Sequence, residues 1–132
     1  MIIHQIEGLV SVCWEKDVQA IRPKWETLYR EDTALRDALE WCFTYVQKHN
    51  VKNWIADLSE FKEGLSKPDQ IWATKYFNQR IIEIGIERFV TIITPQKMEK
   101  ISNWDTSARE TFKSKLSLFH AGSLEEAKNL LR

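Results

Sequence analysis

The stretch from Asn53 to Pro68, NWIADLSEFKEGLSKP, holds the side chains best placed to do chemistry. Asp57 ends a short apolar run, Ser59 follows two residues later, and Ser66 stands just before Lys67 and Pro68. This order reads as a strand, a loop and a helix N-terminus, and in open α/β sheets sites gather at the carboxyl ends of strands. A carboxylate at that position binds a ligand group or tunes a nearby serine; the alternative is that it accepts amide hydrogens from its own loop. Ser66 is a candidate phosphate acceptor, because a helix dipole stabilises added negative charge, or it is a plain N-cap. Aromatic residues supply a second kind of chemistry. Trp14, Trp25, Trp41, Trp54, Trp72 and Trp104, with Tyr76 and Phe77, either line a pocket for a small apolar ligand or pack the core with a few half-buried rings. Trp72, on the helix that follows the loop, is the ring most expected in a pocket wall.

Other chemistries lack their residues. His4, His49 and His120 are far apart and have no ligand spacing with Cys, Asp or Glu, so no metal is expected. There is no G-x-S-x-G, Walker A or G-x-G-x-x-G pattern, and four glycines in all offer little for cradling phosphates. The expectation is therefore a non-enzyme without catalytic residues or cofactors. Lys+Arg and Asp+Glu both number 19, so the basic excess that neutralises nucleic-acid phosphates is missing and nucleic acid is not the expected partner. Cys13 and Cys42 lie on apolar-patterned stretches without C-x-x-C spacing, as buried thiols of a reduced compartment do. No signal-peptide pattern opens the chain and no apolar run approaches the ~20 residues of a membrane span. A cytoplasmic, complete chain is expected.

The elements that position these residues follow from periodicity. Met1 to Ile6 and Leu9 to Trp14 read as a hairpin around Glu7-Gly8. Between residues 15 and 31, Pro23 fits a first helical turn and Trp25, Leu28 and Tyr29 have helical spacing, so a short helix or helical turn is expected. Asp32 or Thr33 caps a helix to about His49, with Leu35, Ala38, Leu39, Cys42 and Val46 as its buried stripe. Trp54 to Leu58 is a strand. Ser66 or Asp69 caps the next helix, with Pro68 in its first turn, Ala73, Phe77, Ile81 and Ile84 on one face, and Gly85 after its end. Arg88 to Pro95 is apolar on both faces, as a central parallel strand is. Residues 96–114 read as a broken helix, recapped at Asp105 or Thr106. Leu116 to Phe119 is a last strand. Ser123 and Glu126 form a capping box for a final helix buried through Leu124, Ala127, Leu130 and Leu131.

The order ββαβαβαβα, with Asp57-Leu58-Ser59 closing the third strand, resembles the STAS-like domains (sulfate transporter and anti-sigma-factor antagonist, also called SpoIIAA-like). Arg80 and Gly85 before the strand ending in Thr94-Pro95 are similar to the R-x-x-x-x-G of an uncharacterised bacterial branch of that superfamily. The closing unit from Phe119 to Leu131, F-x-x-x-S-L-E-E-A-K-x-L-L, is similar as well. The resemblance spans nearly the whole chain, residues 1–132, as one domain. It implies an α/β fold of SpoIIAA/STAS-like type. A β-hairpin leads into β-α units and a mostly parallel five-stranded sheet, with strands adjacent in sequence order and helices mainly on one face. Trp14 and Trp54, on strands expected to be neighbours, are then candidates for the uncovered face. Antagonists of this type carry a phosphorylatable serine in D-S-S-G-L. This chain reads Glu63-Gly64-Leu65-Ser66-Lys67-Pro68 there, so Ser66 is nearest in position and Ser59 nearest in motif, and neither completes the pattern.

Two roles are expected. The first is a non-enzymatic regulatory or protein-interaction module acting through the Asp57–Pro68 loop, homodimerisation through the uncovered face or the first strand's edge being one form of it. The second is a carrier or sensor of a small apolar, lipid-like ligand. The candidate binding residues are Trp54, Asp57, Ser59, Ser66, Trp72 and Tyr76, with Ser59 and Ser66 as the phosphoacceptors.

Overall fold

The computed structural model describes residues 1–26, 33–61 and 66–132. Six strands form one mixed sheet in sequence order: β1 (Ile2–Ile6), β2 (Val10–Glu15), β3 (Ala20–Trp25), β4 (Asn53–Asp57), β5 (Arg88–Ile92) and β6 (Ser117–Ala121). β1 to β3 are an antiparallel meander, and β3 to β6 run parallel. The α/β class and the sequential strand order match expectation; the strand count does not.

The unforeseen strand is β3, where a helical turn was expected around Pro23 and Trp25. Proline cannot donate to a ladder and argues against an interior strand. Here Pro23 stands opposite Val12 of β2, while the ladder to β4 pairs Ala20 with Asn53, Ile21 with Trp54 and Lys24 with Asp57, skipping Arg22 and Pro23. The missing amide therefore falls where the parallel ladder has no pair. Ile21 and Trp25 point into the core while Arg22 points the other way, the alternation of a strand rather than a helix. Leu28, Tyr29 and Asp32 lie outside the described residues.

The helical layer consists of α1 (Ala34–His49), α2 (Lys67–Trp72), α3 (Asn78–Glu83), α4 (Ser102–Phe112) and α5 (Leu124–Leu131). A five-residue π turn, Ala73–Phe77, joins α2 to α3, and a 3-10 segment, Pro95–Ile101, leads into α4. The buried stripe expected for α1 is observed, and the helix ends at Asn50 in the left-handed conformation. Gly85 has φ +86°, the conformation a helix-ending glycine supplies at little cost. Asp105 does not recap α4 but lies inside it, buried.

Helices cover both sides of the sheet. α1, the α2–α3 unit and α4 enclose a large core against Val10, Val12, Ile21, Trp54 and Phe89. α5 lies on the opposite face, where Ala127 and Leu131 meet Ile55, Val90, Ile92 and Ala121. Leu130 is 37% exposed, so only part of the expected stripe of α5 is buried. Its cap is also rearranged: Ser123 Oγ accepts the Glu126 amide at 3.2 Å, but Glu126 takes the amide of Gly122 instead of Ser123. Trp14 and Trp54 sit on the large-core side, with β3 between their strands, so neither reaches the second face. No helix among the described residues is long and apolar enough to cross a membrane.

Candidate functional site

The end of β4 is a crossing of two faces. Strand alternation sends Trp54 and Ala56 into the large core and Asp57 to the opposite side. Asp57 is 3% exposed and its carboxylate is fully engaged. Oδ1 accepts the Ser59 amide at 3.0 Å and the Ser59 hydroxyl at 2.6 Å. Oδ2 takes Arg22 Nη1 at 2.7 Å. Arg22 in turn donates Nε to Glu15 Oε2 at 2.8 Å, and Glu15 Oε1 meets Lys128 Nζ at 3.0 Å. Lys128 also reaches Asp17 at 3.1 Å. This line of alternating charges crosses the sheet from β4 through β3 to β2 and ties α5 to β2.

Burial pushes the Glu15 carboxyl up, and the hydrogen bonds from Arg22 and Lys128 outweigh it, leaving the group below its ordinary value. Burial likewise works against the Arg22 charge, and its hydrogen bond to Glu15 more than restores it. Asp57 is thus a structural acceptor of its loop and of Arg22. Arg22 was invisible as a site residue because its strand was not recognised.

Ser59 is exposed, and Lys97 Nζ caps its carbonyl at 2.8 Å. Lys24 and Glu60 pair at 3.1 Å on the same side. Ser66 is the N-cap of α2, its hydroxyl accepting the Asp69 amide at 3.3 Å. The Trp72 and Tyr76 ring centres are 5.2 Å apart, Trp72 half-buried at the edge of the large core and Tyr76 exposed, with the Arg36 guanidinium 5.7 Å from the Trp72 ring centre. The Tyr76 hydroxyl bonds Glu40, whose negative charge resists a second one and raises the phenol's pKa. The six candidates therefore occupy three places: Trp54 inside, Asp57 and Ser59 on the second face, and Ser66, Trp72 and Tyr76 along the α2–α3 unit.

The large core contains a partly open cavity of about 90 Å³. Its walls are Trp25, Leu35, Leu39, Trp54, Ala56, Leu58, Phe61, Ala73, Phe77, Phe89, Ile101 and Trp104, apolar side chains whose polar atoms are the indole N–H groups. It sits toward the carboxyl ends of the parallel strands, under the first half of α1 and against the π turn. Trp54 and Phe89 lie parallel at 6.1 Å, and Phe77 stands edge-on to Trp54 at 5.7 Å. Trp104 closes on Phe89 at 5.8 Å. Stacked and edge-to-face rings at these spacings hold one another rigidly. Of the six binding candidates only Trp54 lines this space and Trp72 does not; of the wider aromatic set Trp25, Phe77 and Trp104 line it as well. The π turn contributes Ala73 and Phe77, and such turns recur at functional sites.

One further constellation escaped sequence reasoning. His120 on β6 places Nε2 at 2.7 Å from Asp105 Oδ1, and Arg109 holds Asp105 Oδ2 at 2.8 Å. Arg109 Nη2 also lies 2.9 Å from His120 Nδ1. A guanidinium only donates, so Nδ1 accepts and the ring hydrogen sits on Nε2, facing Asp105. Fifteen residues separate Asp105 from His120, and only the packing of α4 on β6 unites them. Among the described residues no group of three or more His, Cys, Asp or Glu is placed to hold a metal ion.

Compared with known proteins, the chain matches no family model, no curated protein and no solved structure.

Proposed function

We propose that this chain is a binding module, a carrier or sensor, for a small apolar molecule held in the aromatic cavity beneath α1. The cavity is the observation that supports the reading. Its volume is several times what one water needs, its described walls are almost wholly apolar, and apolar spaces of this kind accept apolar guests. The ligand class is a single ring or a short acyl chain, oriented by shape against Trp54, Phe77 and Trp104. Native mass spectrometry of the purified protein, with titrations of toluene and octanoate followed by methyl NMR of Ala56 and Ala73, tests it. A retained apolar molecule, or saturable shifts abolished by Ala73→Phe, is the expected result. A folded wild-type protein that retains nothing and takes up neither probe ends this reading.

A second reading, a regulatory module of STAS-like kind, has the Ser59 geometry in its favour. Phosphorylation of the hydroxyl of this exposed residue would break its 2.6 Å bond to Asp57 and set two anions side by side. Captures of native lysate on wild-type, Ser59→Ala and Ser59→Glu protein test it. A specific protein retained by one form and released by the other is expected, and identical captures by all three remove it. Self-association at the open edge of β1 belongs to this reading, and a mass independent of concentration in light scattering would delete that part.

A further inference from the structure

The opposite end of the parallel strands carries a second and larger space, of about 560 Å³, within the size range of ligand pockets. Its walls are chemically unlike the first. Trp14 closes β2, Tyr45 and His49 lie on the last turns of α1, and Lys52, Asn53 and Arg88 open β4 and β5. We propose that this space is a binding site for a planar heteroaromatic anion of the nucleoside monophosphate kind.

Two independent features carry the proposal. The first is a column of rings. His4 stacks on Trp41 at 4.3 Å, Trp41 on Tyr45 at 5.5 Å, and Tyr45 against His49 at 4.2 Å. Trp14 flanks Tyr45 at 6.1 Å. The column ends at His49, which is exposed and lies in the wall of the space. A ring stacked there, beside Trp14, would extend an existing series, and base stacking on aromatic side chains tolerates any planar heterocycle.

The second feature is an oriented guanidinium with a lysine beside it, the Lys52 ammonium lying over Gly85 at the rim of the space. Arg88 spends Nε on Asn53 Oδ1 at 3.0 Å, while Asn53 Nδ2 is anchored to the Val18 carbonyl at 3.0 Å. The guanidinium is thereby oriented, and among the described residues its two terminal nitrogens have no partner. The backbone of Lys52 is pinned beside it, its carbonyl accepting the amides of Glu87 at 2.8 Å and Arg88 at 3.2 Å. The Lys52 ammonium makes no ion pair among the described residues. Lys52 and Arg88 against Glu87 leave the lining with an excess of positive charge. The carbonyl end of α1 repels anions locally, which puts the ring rather than the phosphate against His49 and the phosphate against Lys52 and Arg88. An arginine fork held in plane by Asn53 fits two phosphate oxygens.

Calorimetric titration of the full chain tests this, with adenosine 5′-monophosphate as the probe and adenosine and inorganic phosphate as separate arms. The monophosphate is expected to bind at least about tenfold more tightly than either half. His49→Ala, which removes an exposed ring, should weaken it about 5-fold to 100-fold. Lys52→Gln should weaken the monophosphate and leave adenosine unchanged. Ala73→Phe, in the other cavity, should change nothing here. Absence of monophosphate binding by the folded wild-type protein overturns the proposal. So does inorganic phosphate binding as tightly as the monophosphate, and so does affinity indifferent to both His49→Ala and Lys52→Gln.

Discussion

The two ends of the parallel strands are built from opposite materials. At the carboxyl end, Trp54, Phe77, Phe89 and Trp104 line a small, largely apolar space. At the amino end, Asn53 and Arg88, the first residues of the same two strands, face a larger space among amides and cations. β4 passes from Asn53 to Trp54 in a single step, and strand alternation assigns the two side chains to different faces. In α/β sheets the carboxyl end is where polar ligands usually bind. Here that end holds the apolar space on one face and the Asp57–Ser59 group on the other, while the larger polar space lies at the amino end. Chemistry follows the residues at a site, not the place in the fold.

The sharpest way to break the comparison is to remove a ring from each end. Trp54 is 1% exposed and held by Phe43, Phe77 and Phe89, so Trp54→Ala should cost about 3–5 kcal/mol by enlarging an existing void. His49→Ala should stay within about 0.5 kcal/mol. Chemical denaturation of both variants measures the gap. Equal costs would mean that the amino-end column is as structural as the carboxyl-end cluster.

The next effect concerns the line of charges joining the two ends. Arg22→Met leaves Glu15 and Asp57 facing each other without their shared cation, which should cost about 3 kcal/mol in the same assay. Asp105→Asn, away from both cavities, should cost about 1–2 kcal/mol through weakened bonds to His120 and Arg109, with little change in ligand uptake at either end. The smallest effect is on acid stability. The Glu15 carboxyl titrates below its ordinary 4.5 in the folded protein. Its contribution is therefore complete above that value and is lost as the pH falls through the lower folded one. Thermal midpoints recorded from pH 6 to pH 3 should fall less steeply for Glu15→Gln than for the wild type.

Much of this frame was legible because local rules and tertiary packing agreed. The stripe on α1, the Ser66 cap and Gly85 each carry their own signal within a few residues. The parity that separates Trp54 from Asp57 was legible too, since a strand needs only alternate residues to define two faces. β3 was hidden because Pro23 contradicts an interior strand unless the neighbouring ladder happens to skip it, and a skipped pair leaves no mark in sequence. The union of His120 with Asp105, like that of Lys52 with Arg88, depends on how crossovers return. The apolar cavity was hidden for another reason. Its rings were flagged, but a void is a property of how side chains fail to meet, and no residue type encodes it.

The π turn has a consequence for chain length. An α-helix advances about 100° per residue, so closing Ala73–Phe77 into an ordinary turn with every residue kept would rotate all that follows by that angle. Asn78 and Ile81, both fully buried, would swing out of the core. Relaxation alone cannot remove the turn; loss of one residue can, and it would leave α3 facing as it does now. A chain one residue shorter between Trp72 and Asn78 would keep Asn78 and Ile81 facing inward while redrawing the segment that holds Ala73 and Phe77. Those two side chains belong to the large core and to the cavity wall at once, so the surplus residue sits where packing and cavity share their material.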